Sequence, residues 1–74
     1  MKPDPKKNFA RLAEKRVNKT LKDIRLIGNL SNRTNYNYDA EQVEKIFQTL
    51  QTALAECEWR FENLGRKEDE IFRL

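Results

Sequence analysis

A chain of 74 residues with a single cysteine and no histidine holds one domain at most, and it excludes both a disulfide framework and a Cys/His zinc site. Its net charge of +3 conceals a split: residues 1–33 carry ten Lys/Arg and three Asp/Glu, giving +7, while residues 34–74 carry five and nine, giving −4. A domain this short buries only about 60% of the surface its unfolded chain exposes, so self-association is the remaining route to stability.

Charged residues make up 36% of the chain against two glycines and two prolines, a balance that suits exposed helix better than sheet. The opening MKPDPKKN is charged and broken by proline, without the apolar stretch of a secretory signal. Together with the lone thiol this points to a reducing, cytoplasmic setting. No run approaches the ~18 consecutive apolar residues of a membrane span, and no membrane partner is expected.

Pro3 and Pro5 hold the first residues extended, which makes residues 1–7 a flexible basic N-terminal arm. A helix is expected over 8–28, with Asn8 as its N-cap. Phe9, Ala13, Val17, Thr20, Leu21, Ile24 and Ile27 fall within one stripe about 120° wide at about 100° per residue. Arg11, Lys15, Lys19, Lys22 and Arg25 occupy the opposite face. Gly28 and Asn29 supply residues tolerant of positive φ, on which helices commonly end.

Residues 29–38 form an Asn-rich turn, suited to left-handed backbone and to side chains that bond their own main chain. Leu30, Tyr36 and Tyr38 are apolar enough to fold over the open end of a hairpin. The second helix, 39–64, has a full start signal. Asp39 caps, Gln42 closes a capping box, and Tyr38 staples onto Val43. Val43, Phe47, Leu50, Leu54, Cys57, Phe61 and Leu64 then step by 4-3-4-3-4-3, a heptad seam widened by Ile46 and Ala53. Helix 8–28 has a matching seam of smaller residues, and Gly65 stops the second helix. Residues 65–74 make a charged tail whose apolar end, Ile71, Phe72 and Leu74, packs back on the second helix or enters a partner.

The chemistry-bearing residues argue against an enzyme. No histidine is present, and the carboxylates fall on polar helix faces rather than in a dry cleft. Cys57 lies on the heptad seam between Glu56 and Glu58, neighbours that disfavour a thiolate. Pairs such as Glu41 with Glu44, or Glu58 with Glu62, are the ordinary dress of a solvated helix, so no metal or other cofactor is expected. The basic ribbon of the first helix could follow phosphates, but it lacks base-reading or stacking groups. Nonspecific nucleic-acid binding is therefore ranked behind solvation, or pairing with the acidic second helix of another subunit. Trp59 sits about 160° from the seam on an ideal helix, which suggests a second contact surface, with Ile71 and Phe72 as its alternative cover.

The segment Arg25–Phe47, RLIGNLSNRTNYNYDAEQVEKIF, resembles one found in short helical-hairpin proteins of bacteria and phages that have no assigned activity. The resemblance covers about a third of the chain. It implies a small cytoplasmic protein, one helical hairpin without an assigned activity, and carries over no functional residues.

The expected architecture is all-α: an antiparallel, coiled-coil-like two-helix hairpin that dimerises into a four-helix bundle. The assembly seam comprises Val17, Ile24, Ile27, Val43, Phe47, Leu50, Leu54 and Phe61. The expected role is a protein-interaction or regulatory module acting as a homodimer or with a further protein partner.

Overall fold

A helix can begin only where something satisfies its first backbone N–H groups, and in this chain two aspartates do so. The computed structural model describes residues 4–65. The chain divides after Asn37 into two units, each carrying one long helix: α1, Pro5–Gly28, and α2, Ala40–Asn63, with a short 3-10 turn at Asn29–Ser31 between them. Among the described residues no strand is present, so the fold is all-helical.

In the first unit α1 starts three residues earlier than the sequence suggests. Asp4, not Asn8, is the N-cap, and its carboxylate accepts from the backbone N–H groups of Lys6 at 3.0 Å and Lys7 at 3.5 Å. Pro5 occupies the first helical position. There its missing N–H is no loss and its fixed φ already suits a helix. Residues 5–7 are therefore helix rather than arm. Asn8 turns its side chain outward to accept from the Arg11 guanidinium at 2.7 Å.

The end of α1 also differs from expectation. No glycine and no other described residue has positive φ. Gly28 (φ −59°, ψ −31°) and Asn29 (φ −64°, ψ −20°) keep right-handed helical geometry. The helix tightens into the 3-10 turn instead of reversing into a left-handed cap, and the Asn29 N–H still reaches the Arg25 carbonyl. Asn32 then breaks the run by extending to ψ 101°. Its side-chain oxygen accepts from the Thr34 N–H at 3.0 Å, and its carbonyl accepts from Asn35 and Tyr36 at 3.1 and 3.0 Å. This is the self-bonding turn chemistry expected of asparagine.

In the second unit the predicted start of α2 is present atom for atom. The Gln42 N–H donates to the Asp39 carboxylate at 2.8 Å, and the Asp39 N–H donates to the Gln42 side-chain oxygen at 3.0 Å. Tyr38 and Val43, the residues expected to form a hydrophobic staple across this box, are both half-buried. Leu30 and Tyr36 remain exposed, so of the three apolar turn residues only Tyr38 is partly shielded. The C-terminal cap is Leu64, whose N–H reaches the Arg60 carbonyl at 2.8 Å. At Gly65 a Cβ would lie 2.8 Å from the Phe61 carbonyl oxygen, so the stop at Gly65 rests on close approach rather than on positive φ.

Because the box satisfies two backbone donors reciprocally, Asp39→Ala is expected to cost about 1 kcal/mol and Gln42→Ala less. Thermal unfolding followed by circular dichroism checks this, and an unchanged midpoint in Asp39→Ala contradicts the capping role.

Candidate interaction surfaces

Both helices have 24 residues, which at about 1.5 Å per residue makes each about 36 Å long. Each carries most of its apolar residues on one side, and no described residue is buried. On α1 the stripe is formed by Phe9, Ala13, Val17, Thr20, Leu21, Ile24 and Ile27, with Ala13 and Ile27 half-buried and the others exposed. On α2 the seam keeps its side chains open: Phe47 is 51% exposed, Leu54 61% and Phe61 64%, with Leu50 at 37%. Val43 is half-buried and Cys57 is an exposed free thiol on the same line.

Thr20 is the one hydroxyl on the α1 stripe. Its Oγ1 donates to the Arg16 carbonyl one turn back at 2.8 Å. Covering Thr20 therefore leaves no hydroxyl without a partner, the usual penalty for a polar group in a seam. Thr49 on α2 is bonded to Lys45 in the same way at 2.8 Å.

The opposite side of α1 carries the basic ribbon, all of it exposed. Lys19 is tied to Asp23 by an ion pair of 2.9 Å one turn ahead, and Arg11 is tied to Asn8. Lys15, Lys22 and Arg25 make no ion pair with a described residue. Lys7 extends the ribbon by a turn now that residues 5–7 are helical. Leu12, half-buried, and Leu26, 54% exposed, lie off the stripe beside this ribbon. Neither fits the 3–4 spacing of the main stripe.

Trp59 projects from the far side of α2 and is 55% exposed. The Asn63 side-chain amide donates to its carbonyl at 2.9 Å, which helps hold the last turn on which the ring is carried. Gln48 donates to Glu44 at 3.4 Å on the flank of this face. Ile71 and Phe72, the proposed alternative cover, lie outside the described residues.

Among the described residues no three His, Cys, Asp or Glu side chains group as a metal site, and no helix is long and apolar enough to cross a membrane. A shallow, open depression lined by Cys57, Arg60, Phe61, Leu64 and Gly65 marks the C-terminal end of α2. It is a dip in the seam surface rather than an enclosed cavity. The chemistry on offer is thus that of surfaces: two apolar stripes, one basic ribbon, and one acidic face bearing a tryptophan. No protein-family model matches this chain, and no curated protein and no solved structure matches it either.

Proposed function

We propose that this chain is a self-associating interaction module, in which α1 and α2 close as an antiparallel hairpin and two copies pair along their apolar seams into a four-helix bundle. The observation that carries this reading is the open seam of α2, where Phe47, Leu54 and Phe61 are each more than half exposed along one line of a single helix. Contiguous apolar surface of this kind marks a site of association. Equal helix lengths support the hairpin, since each stripe can be covered from end to end by the other. The stripe of α1 is narrower in its side chains, and Ala13 and Thr20 leave room for the large residues of α2 to approach.

Magnitudes decide which force assembles the module. Covering one Leu or Phe side chain contributes about 1.5–3 kcal/mol, whereas an exposed ion pair contributes about 0.2–1 kcal/mol. The seam residues Val17, Ile24, Ile27, Val43, Phe47, Leu50, Leu54 and Phe61 therefore drive association, and the charges select its geometry. An exposed free thiol at Cys57 suits a reducing compartment.

Two measurements test this. Leu50→Ala is expected to destabilise the assembly by about 2–5 kcal/mol if Leu50 is covered there, seen as a lower melting midpoint whose dependence on protein concentration is weakened. Cys57 should react slowly with an aromatic disulfide reagent in concentrated protein and fast on dilution. Fast reaction at every concentration, with an unshifted midpoint in Leu50→Ala, removes the seam from the interface.

A second reading rests on Lys15, Lys22 and Arg25, exposed and without an ion pair to a described residue: nonspecific binding of nucleic acid along α1. It requires affinity for duplex DNA that falls with salt at a log–log slope near −0.9 per phosphate contacted. The interaction-module reading predicts that wild type and the variant with Lys15, Lys19 and Lys22 all changed to Glu leave a duplex column together at moderate salt. Strong retention of the wild type alone transfers the ribbon to nucleic acid.

A further inference from the structure

The two outward faces of the helices are complementary in charge, and the seam reading leaves both uncovered. On α1, taking Lys22 as the centre and about 100° per residue, the face within about 60° holds Lys7, Arg11, Lys15, Lys19, Lys22 and Arg25, six of the eight bases of the helix and neither of its acids. On α2, the face within about 60° of Trp59 holds Glu41, Glu44, Glu56 and Glu62, four of the five acids of that helix, against the single base Lys45. Glu56 and Glu62 lie one turn before and one turn after the ring, so the exposed indole is set in an acidic surround.

We propose that this Trp59-centred face of α2 is a docking surface for the basic ribbon of α1 from another copy of the chain. The inference rests on the seam reading in one respect. Both faces lie roughly opposite their seams, so when the seams meet, the ribbon and the tryptophan of one hairpin point away from each other and can meet only between copies. An arginine or lysine of the ribbon laid over the indole gains a cation–π contact, and the flanking glutamates supply the opposite charge. Aliphatic stems of the lysines cover the ring while their heads stay with the carboxylates. The contact joins two different surfaces, so it adds a second, heterologous association to the seam pairing. Because its gain is electrostatic at the surface, it weakens with salt, as the seam does not.

The chain has one tryptophan, so its emission reports on this face alone. Full-length protein is titrated in concentration at low and at high salt, with emission maximum and absolute mass read together. The expected result is a blue shift and a mass above dimer at low salt, with both reversed at high salt while the dimer persists. Lys15→Glu with Lys22→Glu, or Glu56→Lys with Glu62→Lys, should each abolish the shift with helical content unchanged, and mixing the two variants should restore it. A Trp59 emission independent of salt and concentration, variants that shift like the wild type, or a mixture that fails to restore the shift each overturns the proposal. If the mass at high salt is that of a monomer, the seam reading has failed, whatever Trp59 reports.

Discussion

An amphipathic helix of about six or seven turns is held less by its own hydrogen bonds than by the burial of its apolar side, since intrinsic propensity alone leaves isolated helices marginal in water. Both long helices of this chain depend on that term. Most of their apolar residues share one side, with Leu12, Leu26 and Trp59 off it, yet no described residue reaches a buried state. The order of the helices and the role of the protein are therefore tied to one question, which is what lies against Phe47, Leu50, Leu54 and Phe61. In the assembly proposed above, a second helix and a second copy supply that cover.

The remaining features prepare that burial rather than replace it. Asp4 and Asp39 fix where the helices begin, and so how far each stripe extends. The back-bonded hydroxyl of Thr20 removes the polar cost of closing the α1 side. The ion pair between Lys19 and Asp23, both well exposed, adds little stability by itself. In the proposed assembly charge matters for direction: a basic first helix and an acidic second helix disfavour like against like and would bias how copies meet.

Much of this was legible from residue order, and the reasons differ by position. The Asp39–Gln42 box is readable because it is a local pattern of fixed spacing, and two long helices follow from sustained periodicity, although α1 begins at Pro5 rather than at residue 8 and α2 spans Ala40–Asn63 rather than 39–64. The start of α1 was misjudged because Pro5 was weighed as a residue that prevents helix, although at the first helical position it favours one. The end of α1 was misjudged for a related reason. Glycine permits positive φ but does not require it, and here the chain leaves the helix through a 3-10 turn. Leu12 and Leu26 are not legible from a single stripe because they lie on its flank beside the basic ribbon. What covers the seam, and what meets Trp59, could not be read from one chain, because those surfaces acquire meaning only against a partner.

Absolute mass by light scattering, taken on full-length protein over a concentration series in high salt, bears most directly on the seam. High salt screens the charged faces and leaves apolar burial in force. A mass of twice the 8.9 kDa chain that persists there, and falls only on strong dilution, is the predicted result. A monomer at every concentration in high salt would contradict the account, because the apolar stripes would then be covered within a single chain and would not be an interface.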